Sequence, residues 1–481
     1  MIGLIILLTV LALLLILLAV IFIRTARFKP LPQEQTERME EHFDRDTATA
    51  ALAELIRCKT ISRYNRAEED DAEFEKLVSL LPTLYPHVFE TCNMQRMGDR
   101  ALLFHWKGKH DGEPAVLMAH YDVVPVDENK WEKPPFSAII EDGVLWGRGT
   151  LDTKVTVNAV LSAANHLIAE GFTPEYDIYF AFSGGEEING MGAVEIVNYF
   201  KENRITPSVV VDEGGGVVEN VFPGVKKPCA MIGIAEKGLL DLRYTVESNG
   251  GHASAPKPHT PVGILARACT RVENKPFSAH ITKPVAEMFD TLGRHSTFVY
   301  RMIFANRWCF GFLLDIIAKK SGGEMNALMR TTVAFTQMSG SAAPNVIPPS
   351  ASMLSNIRLN PEDTVESAKE YIRNVIDDES VKLEIVNGTN PSRISTTDCE
   401  GWRKVCRAVS DTWQGSLVSP YLMVQCSDSR HWGVISDRVY RFSAMDLTSA
   451  ERATIHGNNE RIRLDAIGRA VEFYIRLMRQ L

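Results

Sequence analysis

The sequence predicts an α/β chain: a mostly parallel sheet with helices on both faces, an inserted smaller α+β unit, and a transmembrane helix in front. Three observations carry this expectation. Residues 1–23 form an uncharged apolar run, short β-like runs then alternate with helical segments, and near residue 238 the texture changes to longer strands.

The first run contains Thr9 as its one hydroxyl-bearing side chain. As a helix rising 1.5 Å per residue it reaches roughly 35 Å, enough for a bilayer core. It lacks a basic n-region, exceeds a usual signal h-region and has no clear small-x-small site before Arg24, so a single-pass anchor is favoured over a cleaved signal. Arg24, Arg27 and Lys29 follow it; by the positive-inside rule they would keep the globule in the cytoplasm, though three charges leave the membrane side open. Pro30, Pro32 and several polar side chains make residues 24–40 a linker.

Apolar residues recur at helical spacing over 44–58. The runs Ala115 to Ala119, Ile178 to Phe182 and Val209 to Val211 then read as strands, and Val155 to Ala169 reads as a helix between them. This βαβ rhythm defines the first part of the main domain, 41–237. The inserted unit, 238–388, opens with a strand at Leu239 to Val246 that runs into Gly250-Gly251. Helices near 261–273 and 362–376 and strands near 331–337, 350–359 and 381–386 complete it. Residues 283–330, broken at Gly322-Gly323, fit that pattern poorly and read as an insertion. The chain returns to the main domain over 389–481 and ends on an amphipathic helix, Leu464 to Met478.

The 481 residues exceed what one core usually supports, and the composition, 45% apolar and 23% charged, is that of a globular protein. A net charge of −8 and the lack of a long basic run leave no field for a phosphate backbone, so nucleic acid is not an expected partner. The eight cysteines are scattered with no CxxC pair and read as core thiols; one disulfide between distant positions is the alternative, and it leaves the redox compartment open.

Potential ligands fall at strand ends or Gly turns, where open α/β sheets gather their ligands. AVLMAHYDVVP puts His120 at a strand end with Asp122 two residues on, sharing a face in extended chain. Alone, that pair would be two surface polar groups. GRGTLDTK places Asp152 in a turn before a helix, where capping is the plain alternative to metal bridging. IYFAFSGGEE ends on Glu186 and Glu187, adjacent carboxylates that repel unless protons or cations separate them, which suits one ligand and one general base. VVVDEGG ends a strand at Asp212, and TIHGNNE offers the distant His456. Each motif is weak, but together they form a nitrogen and oxygen donor set without thiolates. Such a set suits zinc, with cobalt or manganese as substitutes.

HYDVVP, GRGTLDTK, GGEE, VDEGG, GGHASAP and IHGNNE, spread over about 115–460, resemble the dizinc aminoacylase/carboxypeptidase family. WEKPPFSAIIEDGVLWGRGTLD and the ending IHGNNE look most like its Gly-Xaa carboxypeptidase and N-fatty-acyl-amino-acid synthase/hydrolase branch. The resemblance implies His120 and Asp212 on one zinc, Glu187 and His456 on the other, and Asp152 with a water bridging both. Asp122 would support His120, and Glu186 would be the general base. The inserted unit would be a lid and dimerisation domain, implying a homodimer. His252 of GGHASAP would donate to the oxyanion, Asn345 of APNVIP would contact the same region, and Arg358 of SNIRLNP would grip the substrate carboxylate. CSDSR departs from the Gly-rich form of the family's substrate loop, so no role is carried over to it.

The implied activity is cleavage of an amide bond next to a free carboxylate, in an N-acyl amino acid or short peptide. A desuccinylase or dipeptidase of the same family is the alternative within this chemistry. A non-catalytic, membrane-tethered binding protein is the alternative outside it, and the intact set of metal and base positions argues against it.

Overall fold

Burial on both faces turns the Val-, Ala- and Phe-rich runs into central strands. In the computed structural model, which describes residues 1–31, 41–220 and 222–481, the strands Ala115–His120, Ile178–Ser183 and Val209–Asp212 are buried at every position. Each enclosed Val, Leu or Phe side chain contributes about 1.5–3 kcal/mol. The three run parallel, with Ala115–His120 in the middle and Val439–Arg441 added beside Val209–Asp212. Helices Lys154–Ala169 and Leu464–Met478 pack on each other and help close one face through the largest apolar core.

This sheet is mixed rather than mostly parallel. An antiparallel hairpin, Asn93–Met97 with Ala101–Trp106, joins one edge beside Ile178–Ser183. Beyond Val439–Arg441, the strand Cys229–Glu236 is antiparallel to that neighbour and to Gly216–Val218, and parallel to Leu417–Met423. The first strand of the hairpin, NMQRM, is largely exposed and carries no apolar alternation, which explains its absence from the sequence reading.

A second sheet, antiparallel throughout, runs Thr332–Ser339, Ser350–Leu359, Gly238–Glu247, Lys382–Thr389. Ser350–Leu359 alternates strictly between buried and partly exposed positions, the pattern of a sheet covered on one face. The cover comes from helices Pro261–Asn274 and Val365–Ile376, which share a separate core with the sheet.

Residues 283–329 form four helices: Lys283–His295, Phe298–Ala305, Arg307–Ser321 and Gly323–Met329. Their apolar side chains pack against Cys229–Glu236 and Leu417–Met423 of the first sheet, so this segment joins the main sheet rather than the four-stranded one. Lys237 fastens it there, donating from Nζ to the carbonyls of Ala327 and Arg330, each at 2.7 Å.

The apolar N-terminal run is a helix, Ile2–Arg27, long and apolar enough to cross a bilayer, a property that signal sequences share. Of the linker expected over 24–40, residues 32–40 lie outside the described residues. All eight cysteines are free thiols.

Candidate active site

Parallel pairing puts His120 level with Ser183, and Gly184-Gly185 then turns the chain so that Glu186 and Glu187 follow beside it. A side chain at Gly184 would meet the Tyr121 ring at 2.6 Å, so this close turn requires glycine. Asp122 locks the turn: its carboxylate accepts from Glu186 N at 3.1 Å, Glu187 N at 3.2 Å and Ser62 Oγ at 2.7 Å.

His120 Nδ1 lies 3.0 Å from the Asp122 carbonyl oxygen and 3.4 Å from its carboxylate. Donation to that carbonyl leaves the Nε2 lone pair facing the cleft. There Nε2 lies 3.0 Å from Asp152 Oδ1 and 3.2 Å from Glu213 Oε1. On the other side of Asp152, Oδ2 is 3.0 Å from His456 Nε2, which is 3.1 Å from Glu187 Oε2. Asp152 thus belongs to two clusters, His120 with Glu213 and Glu187 with His456, the ligand atoms of each lying within 4.8 Å of one another.

The structure brings Glu213, not Asp212, to the His120 cluster. Successive side chains of an extended chain point to opposite faces, and Asp212 turns away to accept from Ser429 N at 2.9 Å. The backbone turns sharply after Glu213 through three glycines with positive φ. A side chain at Gly215 would come within 2.0 Å of the Met231 carbonyl oxygen.

Asp152 is itself held from below by Glu460, the last residue of IHGNNE. Glu460 Oε1 accepts from Leu151 N at 2.7 Å, Gly149 N at 3.1 Å and Asp152 N at 3.2 Å, while Oε2 accepts from Arg148 Nη1 at 2.6 Å. Both charged partners are buried. Sequence reasoning missed Glu460 and Arg148 although both lie in quoted motifs, because a carboxylate at the end of a turn reads as solvated.

The electrostatics are those of a donor set built around cations. Burial disfavours charge on His120, yet Glu213, Asp122 and Asp152 raise its pKa well above the ordinary imidazole value. Hydrogen bonds to Asp152 and Glu187 push His456 up to about 10. Asp152, despite burial, is held far below the carboxylate range by bonds from both imidazoles. Burial pushes Glu213 up to about 8, and burial raises Glu186 and Glu187 as well. Three carboxylates and two imidazole nitrogens converge with their lone pairs facing one another, which only protons or cations reconcile. The mixed nitrogen and oxygen set fits two divalent metal ions sharing Asp152.

The clusters open on a cavity of about 480 Å³. Asp152, Glu186, Glu187, Glu213 and His456 line it together with the apolar Phe222, Met231, Met288, Met325, Leu328 and Met423, and Glu324, Tyr421, Gln425 and Arg452 add polar groups to its wall. Cys426 also lines it, and Arg358 donates to Cys426 Sγ at 3.5 Å, so the guanidinium stands just behind the cavity wall. The CSDSR loop lies close by: Asp428 Oδ2 accepts from Ser183 Oγ at 2.5 Å, and Arg430 donates to Asn189.

His252 and Asn345 are brought together, but outside this cavity. Gly251–His252 pairs with Val346–Ile347 in an exposed two-stranded ribbon, and Ala253 N donates to the Asn345 carbonyl. Ser254 N donates to His252 Nδ1 at 3.1 Å, and Ser254 Oγ lies 2.7 Å from the same nitrogen, so this serine holds the ring on the ribbon.

Comparison with known proteins agrees with this architecture. The model of peptidase family M20/M25/M40 matches residues 116–480. The N-fatty-acyl-amino acid synthase/hydrolase PM20D1 of Xenopus tropicalis is 35% identical over 477 residues, covering 97% of this chain and 93% of that protein. A probable carboxypeptidase S-like 2 of Dictyostelium discoideum is 32% identical over 477 residues, covering 96% of this chain and 91% of the other. Among solved structures, the M20 family metallo-carboxypeptidase Sso-CP2 of Sulfolobus solfataricus superimposes with a TM-score of 0.64 at 18% identity, over 92% of this chain and 99% of its own. The chain belongs to peptidase family M20/M25/M40 and is a hydrolase of that family.

Proposed function

We propose that this hydrolase cleaves the amide bond of N-acyl amino acids that carry a long acyl chain. The observation behind it is the Met- and Leu-lined cavity opening directly on the carboxylate and imidazole clusters. Methionine gives such a wall adaptable, polarizable contacts, suited to a flexible chain. The similarity to an N-fatty-acyl-amino acid synthase/hydrolase supports the same substrate class.

In this reading His120 and Glu213 would hold one zinc ion and Glu187 and His456 the other, with Asp152 belonging to both ligand groups. When bound, the metal ions would supply Lewis acidity toward the scissile carbonyl and acidify the attacking water. Glu186 takes the proton from the attacking water and returns it to the leaving amine nitrogen. Burial raises its pKa, with the Asp428, Glu213 and Glu187 charges adding to the rise and His120 opposing it. Asp122 positions Glu186 and Glu187 through their backbone amides.

Arg358 grips the free carboxylate of the amino acid, and a guanidinium fork offers two parallel donors for it. His252, with Asn345 beside it, serves the oxyanion from the lid of a second copy in a homodimer, consistent with a ribbon exposed away from its own cavity. The N-terminal helix anchors the enzyme in a membrane.

A series of N-acyl amino acids of increasing acyl length tests the substrate class. Each methylene buried in the cavity is worth up to about 0.8 kcal/mol, so kcat/KM rises by up to about fourfold per methylene until the space is filled. A flat or falling dependence refutes it. A short peptide with a free C-terminus is the second reading, favoured by Arg358, and would show no such gain.

A further inference from the structure

The four helices of residues 283–329 have an outer face that the active site does not use. On Arg307–Ser321, the side chains of Trp308, Phe312 and Ile316 recur at four-residue spacing and so share one face. All three are exposed, Trp308 at 58% and Phe312 at 68%, and on the neighbouring helix Phe298, Val299 and Tyr300 are exposed as well. Large apolar side chains exposed on two neighbouring helices are costly in water and mark a contact surface.

What covers it is indicated by its neighbour. The segment docks on the foot of the apolar N-terminal helix, at the level where that helix changes from apolar to basic. Arg24 donates to the Ala305 carbonyl from Nε and Nη2 at 3.3 and 3.2 Å. Asn306 Nδ2 donates to the Ile21 carbonyl and to Thr25 Oγ1, both at 3.2 Å, and Ile21 and Thr25 are buried there. Phe22 stacks on Phe298 with 6.5 Å between centroids, and the Arg294 guanidinium lies over Phe28. The exposed apolar face therefore continues the exposed apolar surface of Ile2–Arg27 at the depth of residues 21–25. Residues 283–329 also carry six basic and four acidic side chains in a chain of net charge −8. Lys320 and Lys319, exposed at the end of Arg307–Ser321 with Lys319 also pairing with Asp315 at 3.0 Å, suit anionic headgroups.

We propose that residues 283–329 form an interfacial platform, seated at the headgroup and acyl boundary of the leaflet that flanks the N-terminal helix. This rests on reading that helix as a membrane span. The inner side of the same segment supplies Met288, Met325 and Leu328 to the active-site cavity. One segment therefore meets the lipid on one side and walls the cavity on the other, which places the site beside a leaflet that holds amphiphilic substrates.

The test uses the full chain in vesicles of phosphatidylcholine and phosphatidylglycerol, with and without bromine on the acyl chains. Trp308 is one of seven tryptophans, so its own emission is the difference between the unchanged protein and Trp308→Phe. The platform predicts that brominated lipid removes most of this difference while aqueous iodide removes little. Leu14→Trp in the Trp308→Phe background reports the span separately and is quenched by brominated lipid. Quenching at Leu14→Trp with none at Trp308 overturns the platform alone. Shielding of Trp308 from bromine and iodide together overturns it in favour of a second protein copy on that face. Absence of quenching at both positions removes the span and the platform with it.

Discussion

Glu460→Gln is expected to loosen Asp152, the carboxylate shared by both candidate clusters, without replacing any candidate ligand. In the native site one oxygen of Glu460 faces three backbone N–H groups and the other faces Arg148. A glutamine amide presents one oxygen and one NH₂, so either the amides of residues 149–152 or Arg148 meets a donor instead of an acceptor. Arg148, only 2% exposed, also loses its counter-ion. Breaking one side of a buried pair costs about 3–5 kcal/mol. At about 2–4 °C per kcal/mol for a large domain, Tm falls by roughly 6–20 °C. Because Asp152 N is one of the amides held, metal affinity falls too, by about 10–100-fold, the usual effect of removing a group that orients a ligand. Thermal unfolding and metal analysis of the purified protein read both effects. Adding Arg148→Met to Glu460→Gln recovers part of the lost stability, since no buried charge is then left alone. Unchanged Tm and unchanged metal content in Glu460→Gln would refute the reasoning.

Three further expectations concern the chemistry. Glu186→Gln keeps its metal and loses at least about 10²-fold in turnover, the lower size of a general-base contribution; metal loss here with retention in Glu187→Gln would reverse the two roles. His252→Ala lowers turnover by roughly 10²-fold at unchanged metal content, as for a single oxyanion donor, and mixing it with Glu186→Gln restores part of the activity through hybrid dimers. No recovery despite subunit exchange argues for action within one chain. Arg358→Lys lowers kcat/KM for free-acid substrates far more than for the matching amides, because lysine lacks the planar fork; equal losses would make Arg358 structural.

Much of this site was legible because strand ends carry it. Ala115–His120, Ile178–Ser183 and Val209–Asp212 announce themselves as short apolar runs, and each is followed by a polar residue that the parallel sheet must deliver to the same edge. What sequence alone could not resolve is which of two adjacent carboxylates faces the cleft. Asp212 and Glu213 differ by one residue and therefore by one face, and the choice rests on Ser429, more than two hundred residues downstream. The hairpin at 93–106 escaped because Asn93–Met97 is an exposed edge strand with no apolar alternation. The helices of 283–329 resisted assignment because their apolar residues face two ways, into the cavity and outward beside the N-terminal helix. Glu460 escaped because its partners lie some three hundred residues earlier in the chain.

Stepwise reconstitution of metal-stripped protein with zinc, reading bound metal and hydrolysis of a long-chain N-acyl amino acid together, tests the central claim most directly. The geometry predicts that activity saturates near two equivalents per chain in the unchanged protein, since two clusters share Asp152. It also predicts that Glu213→Gln binds less metal than Asp212→Asn. Full turnover by the metal-free protein, or Asp212→Asn losing metal while Glu213→Gln keeps both ions, would contradict it.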